Sequence, residues 1–395
     1  MSILSDKTIL ILTAGFGAGH VSAANAIKDA ILKDEENVNI VIRNFIDASV
    51  PKLNKPMVKF YENNTKYTPE LYNCYYYLKK SFSSKYDIAH KVYTPKLSKF
   101  IEDLNPDLII STFPLAAACV NNFRNSDEGY FIPAATVITD VVDSMEWIFE
   151  NTELYFVPSI EIKNRFMQRG ISPDKVEVVG VPISSKFRVE HKEHFPGKYR
   201  IIILGGGRGL FDISEDFMRW IDEFISTDEG KSLEVTIVTG TNKKLYDNLT
   251  EKEPLQNIKV LGYVNNMDEL LKSHDLMMTK PGGATLFEAI YTKTPLMVKI
   301  PRLGQEIENG KFIIDKGIGL MYSDEKDLRE MLKNIASGKS NSILSFMNHN
   351  IEQFRQTIYP ENIALYLEKL LEKYINCETT CLLYTSDAAD EENLV

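Results

Sequence analysis

Three times along this chain a short unbroken apolar run stops at glycines and gives way to residues with helical spacing. The first run, Lys7 to Thr13, leads through Ala14-Gly15-Phe16-Gly17-Ala18-Gly19-His20 into a helix over Ser22 to Lys33. The second, Tyr199 to Leu204, leads through Gly205-Gly206-Gly207-Arg208-Gly209 toward a helix over Phe217 to Phe224. The third ends at Met277-Met278, turns at Pro281-Gly282-Gly283 and predicts a helix from Ala284 to Ile290. An unbroken apolar run reads as a strand covered on both faces, and strands alternating with helices make parallel, doubly wound sheets. In such sheets ligands bind beyond the carboxyl ends of the strands, so the glycine turns are where function is expected.

The third unit is the most informative. Gly282 and Gly283 let the backbone approach a ligand without a Cβ in the way, and the first N–H groups of the following helix, including those of Ala284 and Thr285, are unpaired. Those groups and the helix dipole suit a phosphate. A further apolar strand, Pro295 to Ile300, is followed by a polar loop, Pro301 to Asn309, that carries Gln305, Glu306 and Asn309 toward the same crevice. A diphosphate with a hydroxylated group attached fits this plan. An ordinary Gly-Gly turn between strand and helix would look the same.

In the first half, the glycine loop makes only a weak dinucleotide fingerprint, and the strand that follows it, Val38 to Phe45, ends in Ile46-Asp47. His20, at the loop exit, is placed to accept a proton from a hydroxyl; a helix-capping histidine is the alternative. Asp140 sits directly beyond the strand Pro133 to Thr139, placed for chemistry, for binding, or for capping the next turn. Trp147 is expected in a loop, where it could form a wall for an acceptor.

Length and charge bound what remains. With 395 residues the chain suits two domains, and its net charge of −10 argues against a general nucleic-acid partner. That average hides a local reversal, since Pro51 to Phe100 holds ten lysines against three acidic residues, among many tyrosines. The basic, aromatic segment 52–99 suits an anionic membrane surface, and it also suits ordinary helix packing with a solvated face. Cysteines 74, 119, 377 and 381 form no regular framework, which reads as a reducing, cytoplasmic setting. With no convincing secretory signal and no apolar run of spanning length, membrane contact is expected to be peripheral, on the cytoplasmic face. His191 and His194 have no cysteine beside them and imply no metal.

The charged stretch near 184 to 198 is the expected domain boundary. The expected divisions are an acceptor and membrane-facing domain over 1–185, a linker over 186–198 and a ligand-binding domain over 199–345. Helices returning to the first domain would follow over 346–375, with a disordered or extraneous tail over 376–395.

The segments LILTAGFGAGHVSAANAI (10–27), VITDVVDSMEWIFENTELYFVPS (137–159) and GISPDKVEVVGVPIS (170–184) are followed by LGGGRG (204–209), VTGTN (238–242), LGYVNNMDELLKSHDLMMTKPGGATLFEA (261–289) and PRLGQEIENGKFIIDKGIG (301–319). In that order they resemble UDP-sugar-dependent glycosyltransferases of the monogalactosyldiacylglycerol synthase and processive diacylglycerol glucosyltransferase type. More distantly they resemble the enzyme that adds N-acetylglucosamine to a lipid-linked peptidoglycan precursor.

The resemblance implies an α/β fold of two Rossmann-like, doubly wound domains facing across a cleft, the GT-B type. It implies that Gly206 and Gly207 face the diphosphate, that Gly262, Tyr263 and Val264 border uracil, and that Glu288 accepts the ribose hydroxyls. Gly282, Gly283, Ala284 and Thr285 would hold phosphate, and Gln305 and Glu306 would read the sugar. Gly17, Gly19 and His20 would face a lipid acceptor, most simply diacylglycerol. The implied reaction is inverting transfer of a hexose from UDP-glucose or UDP-galactose, with His20 as base, Asp140 orienting or assisting it, and no cofactor or metal required.

Two departures bear on substrate. Asp143-Ser144-Met145-Glu146-Trp147 lacks the histidines the family commonly places near this tryptophan, and Arg302-Leu303 interrupts the usual compact Pro-Gly-Gln-Glu. A non-lipid acceptor, or a silent sugar-nucleotide-binding regulator, are the competing readings.

Overall fold

The computed structural model describes residues 2–15, 19–49, 88–126, 129–188, 197–205 and 213–375. Among them are two six-stranded sheets in which every strand pair is parallel. The first sheet contains β1 (Thr8–Thr13), β2 (Asn39–Asn44), β3 (Leu108–Ser111), β4 (Ala134–Val137), β5 (Leu154–Val157) and β6 (Val176–Val178), in the order β2-β1-β3-β4-β5-β6. The second contains β7 (Tyr199–Leu204), β8 (Leu233–Val238), β9 (Lys259–Leu261), β10 (Leu276–Thr279), β11 (Leu296–Lys299) and β12 (Gly319–Tyr322), in the order β12-β11-β10-β7-β8-β9.

The apolar runs explain this layering. Ile9, Leu10, Ile11 and Leu12 are all fully buried, which a strand achieves only with cover on both faces. Ile9 and Ile11 pack with Ala24, Ile27 and Ile31 of the helix Gly19–Asp34. Leu10 and Leu12 pack on the opposite face with Leu97, Ile101, Ala116 and Val120. In β7 the alternation repeats, with Ile201 and Ile203 facing Phe217 and Leu328 while Ile202 and Leu204 face Leu286 and Ile313. One apolar cluster contains Val141, Tyr155 and Phe166 of the first half together with Leu286, Phe287 and Ile351 of the second, so the two halves share buried surface.

Strand order locates the crevices. In the first sheet the chain leaves β1 to one side for β2 and to the other for β3, so the switch lies between β1 and β3. Counted from its own first strand, the second sheet runs 3-2-1-4-5-6, the order of dinucleotide-binding sheets, with its switch between β7 and β10. The third glycine turn follows β10 and the first follows β1, so both stand at switch points.

Several sequence expectations shift. β2 ends at Asn44, and Phe45 opens the short helix Phe45–Ser49, where its ring stacks on Phe113 with centroids 5.5 Å apart. β9 ends at Leu261, so Gly262 to Val264 form its exit. The loop expected over Pro301 to Asn309 is helical from Gly304, in the helix Gly304–Asp315, because Asn309, Gly310, Phe312 and Ile313 make one buried face. The first helix begins at Gly19, three residues earlier than its apolar pattern, so His20 lies in its first turn.

Residues 363–375 are helical, and Ile363, Ala364, Leu367, Leu370 and Leu371 complete the face of the first sheet that holds Ile9 and Ile11. Residues 50–87, 189–196 and 376–395 lie outside the described residues, and with them most of the basic segment, His191, His194 and the tail.

Candidate active site

At the first switch point, β1 delivers His20 into the opening turn of its helix, and β3 delivers Thr112. His20 Nδ1 lies 2.8 Å from the Thr112 carbonyl and 2.9 Å from Thr139 Oγ1. A carbonyl oxygen only accepts, so Nδ1 carries the proton and the lone pair belongs to Nε2. Thr112 Oγ1 donates in turn to the His20 carbonyl at 3.1 Å, and the Phe113 ring meets the imidazole edge-on at 5.0 Å. Burial lowers the His20 pKa to about 4, against a smaller opposing effect of the Thr112 bond. At neutral pH the ring is therefore uncharged, with its basic nitrogen fixed as Nε2.

Thr139 leads directly to Asp140, whose contacts run into the second half of the chain. Asp140 Oδ1 accepts from the Gly283 N–H at 3.1 Å and from Asn309 Nδ2 at 2.9 Å. Asn309 Nδ2 also donates to the Pro281 carbonyl at 2.9 Å, and its Oδ1 accepts from the Val141 N–H at 2.8 Å. Burial pushes the Asp140 pKa up to about 6, opposed by the bonds from Asn309 and Gly283. The expectation that Asp140 orients His20 is thus corrected. Thr112 and Thr139 hold the imidazole, because the carboxylate is already turned toward the helix Gly283–Tyr291.

That helix has Gly282 as its N-cap, so no side chain caps it. Its first amide meets Asp140, while among the described residues the amides of Ala284 and Thr285 have no hydrogen-bond partner. The approach of the two halves is close. A Cβ on Gly283 would lie 2.0 Å from the Thr139 carbonyl oxygen, and one on Gly19 would lie 3.5 Å from Ala284 Cβ. Glu288, one turn further along, is pushed up to about 7 by burial alone. Beside the second switch point, Leu204, Ile213, Thr279, Lys280 and Tyr322 line a small, open recess.

The remaining expected residues are dispersed. Gln305 and Glu306 occupy the first turn of the helix Gly304–Asp315, both partly buried. Gly262, Tyr263 and Val264 follow β9, the edge of the second sheet; Tyr263 is 67% exposed and Val264 packs on the shared core. Trp147 is corrected. It ends the 3-10 turn Met145–Trp147 at 2% exposure, within the apolar cluster of Tyr155 and Phe166, and offers no open ring face. Gly17, Gly206 and Gly207 lie outside the described residues.

Thr112 and Thr139 escaped the sequence reading, and Asn309 was placed at the crevice without its bridging role. The available signal was position, since both threonines immediately follow or end an apolar strand that points into the same crevice as His20. Among the described residues no three His, Cys, Asp or Glu side chains group as metal ligands, and no helix is long and apolar enough to cross a membrane.

Comparison with known proteins covers both halves. Residues 20–183 match the family model of monogalactosyldiacylglycerol (MGDG) synthase, and residues 200–358 match that of the glycosyltransferase family 28 C-terminal domain. A processive diacylglycerol beta-glucosyltransferase of Staphylococcus saprophyticus is 32% identical over 80% of this chain and 81% of its own. The Bacillus subtilis protein of the same name is 28% identical over 88% and 91%. Among solved structures, Acinetobacter baumannii MurG aligns with a TM-score of 0.55 at 14% identity, covering 93% of this chain and 99% of that one. Staphylococcus aureus MnaA with UDP aligns at 0.58 and 12% identity, covering 94% and 97%. At such identities these structures speak for the fold alone, which is the GT-B arrangement of two doubly wound domains facing across a cleft.

Proposed function

The chain belongs to the monogalactosyldiacylglycerol synthase and processive diacylglycerol glucosyltransferase family of UDP-sugar-dependent glycosyltransferases, and on that premise we propose that it transfers glucose from UDP-glucose to the hydroxyl of diacylglycerol with inversion. The observation that carries the reading is the meeting of a neutral, Nε2-basic His20 with the start of the Gly283–Tyr291 helix at one place between the two sheets. A proton acceptor and a seat for a leaving anion are the two groups that displacement at an anomeric carbon requires. Glucose is favoured because the relatives named above are beta-glucosyltransferases. A β-linked product from an α-linked nucleotide donor is the outcome of one direct displacement.

In this mechanism the acceptor oxygen forms its bond to C1 as the bond from C1 to the phosphate oxygen breaks. His20 Nε2 takes the hydroxyl proton. UDP departs with its charge against the amides of Ala284 and Thr285, which the helix fixes before the reaction begins, and against that of Gly283 once Asp140 has left it. Glu288, holding a pKa about 7, is suited to bond a ribose hydroxyl in either protonation state. Gly206, Gly207 and Gly262 to Val264 would complete the nucleotide seat, and Gln305 and Glu306 the sugar seat. Gly17 and Gly19 would border the acceptor. Asp140 assists once it is free of the Gly283 amide. The basic segment 52–99 would meet anionic lipid on the cytoplasmic face of the membrane, with each lysine near the surface contributing about 1 kcal/mol.

The test is transfer from radiolabelled UDP-glucose, UDP-galactose and UDP-N-acetylglucosamine to diacylglycerol in mixed anionic vesicles, with products separated by thin-layer chromatography. Labelled β-glucosyldiacylglycerol from UDP-glucose is expected. UDP-glucose binding with no lipid product from any donor would refute the proposed acceptor.

A further inference from the structure

Two polar groups at the far corner of the first crevice have no partner among the described residues. β1 and β2 pair in register with Thr13 opposite Asn44, so these residues end neighbouring strands. By alternation their side chains leave the face of Ile9, Ile11, Ile40 and Ile42, which the helix Gly19–Asp34 covers. Asn44 Oδ1 accepts from the Ile46 N–H at 3.0 Å, which turns Nδ2 the other way. A Cβ built on Gly15 would meet Asn44 Nδ2 at 3.4 Å, so the amide stands against the backbone where the first glycine loop begins. Nδ2 is offered no acceptor there, and the Thr13 hydroxyl beside it is buried without a hydrogen bond. A polar corner of this kind, at the carboxyl edge of a doubly wound sheet, is suited to a ligand oxygen.

We infer that Asn44 determines acceptor specificity: its Nδ2 donates to the ester carbonyl on the glycerol carbon next to the attacking hydroxyl. An amide carries no charge, and its N–H suits an uncharged oxygen. Position relative to the base selects which oxygen. Phe45, the next residue, stacks on Phe113 at 5.5 Å, and Phe113 meets His20 edge-on at 5.0 Å, so Asn44 and His20 border one crevice. β2 and β3 flank β1, which sets their ends about 10 Å apart, and the carbonyl that holds His20 directly follows β3. One hydrogen bond from Nδ2 and one to Nε2 take up roughly 6 Å of that span. The remainder, about 4 Å, separates a hydroxyl oxygen from the carbonyl oxygen of an ester on the adjacent carbon. Diacylglycerol offers that pair. This inference deepens the proposed function and rests on its acceptor.

The test compares diacylglycerol with dialkylglycerol, which keeps the hydroxyl and both chains but has no carbonyl, as acceptors in mixed anionic vesicles at saturating UDP-glucose. The full chain is used as wild type and as Asn44→Asp, which keeps the oxygen that bonds the Ile46 N–H and exchanges the N–H donor for an oxygen. For the wild type, the apparent KM for dialkylglycerol should be about tenfold that for diacylglycerol, as the loss of one hydrogen bond predicts. Asn44→Asp should raise the KM for diacylglycerol about tenfold and leave those for dialkylglycerol and UDP-glucose unchanged, so the ester preference vanishes. A role confined to the turn at Ile46 would move both lipids alike. If Asn44→Asp does not fold, the wild-type ratio and Gly15→Ala carry the test, since a methyl 3.4 Å from Nδ2 crowds the seat of the carbonyl and should lower the preference for the ester. Equal KM for both lipids in the wild type, or an ester preference kept by folded Asn44→Asp, would overturn the inference and leave diacylglycerol standing as acceptor. A wild type that binds UDP-glucose and glucosylates neither lipid would sink the acceptor, and the inference with it.

Discussion

The two switch points present opposite kinds of chemistry. The first offers a side chain, His20, whose tautomer is fixed by Thr112 and Thr139 and whose basicity is set by burial. The second offers main chain, the start of the helix Gly283–Tyr291, with no side chain at its N-cap Gly282 and glycine where close approach demands it. A side-chain site changes when its residue changes. A main-chain site tolerates new side chains and yields to changes in backbone spacing. Each site can therefore be damaged without the other, and the kind of damage should differ.

The largest effect is expected from His20→Ala, which removes the proposed base. Glucosyl transfer should fall about a thousandfold, while UDP affinity measured by calorimetry should hold. Equal loss of both would erase the division between the two regions. Gly283→Ala attacks the second region through distance, because the new Cβ must push the Thr139 carbonyl out from 2.0 Å. Moving the helix start away from His20 should lower kcat about a hundredfold, on the scale of a 1 Å misplacement. A kcat near that of the wild type would mean that the spacing between halves does not set the rate.

The pH profile sharpens the comparison from the side of the histidine. A base works only above its pKa, and with His20 at about 4 it stays mostly neutral at pH 5. An ordinary histidine would lose about 25-fold in active fraction between pH 7 and pH 5. Transfer at saturating UDP-glucose should fall far less than that across the interval, and a steep acid limb centred near 6.5 that disappears in His20→Asn would contradict the assigned environment. The smallest effect belongs to Thr139→Val, which takes one hydrogen-bonding group from the ring and keeps its volume. A loss of about fivefold in kcat is expected, the worth of a single such bond, with UDP affinity unchanged.

How much of this was readable in the sequence depends on the range of the interaction. The strands and glycine turns were legible because they are local: Ile9 to Leu12 announce double-sided burial by themselves, and Pro281-Gly282-Gly283 announces a turn. His20 and Asp140 were legible by their position beyond strand ends. Their partners were not. The bond from Asp140 to Asn309 spans 169 positions and that from His20 to Thr112 spans 92, distances over which periodicity carries no information. Trp147 looked like a loop aromatic because Ser144 and Glu146 flank it, yet the 3-10 turn places its ring in the core. The stretch after Pro301 read as a loop because Gln305, Glu306 and Asn309 are polar. The buried side of that helix is completed by Asn309 itself, whose polarity is matched only by the other half of the molecule.

The helix over 363–375 covers the face of the first sheet that holds Ile9 and Ile11. On the ribosome those strands emerge long before Ile363, Leu367 and Leu371 exist, and until then the part of that face not covered by the helix Gly19–Asp34 lies open to water. The first half must therefore wait through the whole synthesis of the second, a period in which exposed apolar surface invites chaperones or aggregation. Order of manufacture and order of completion are reversed in this protein.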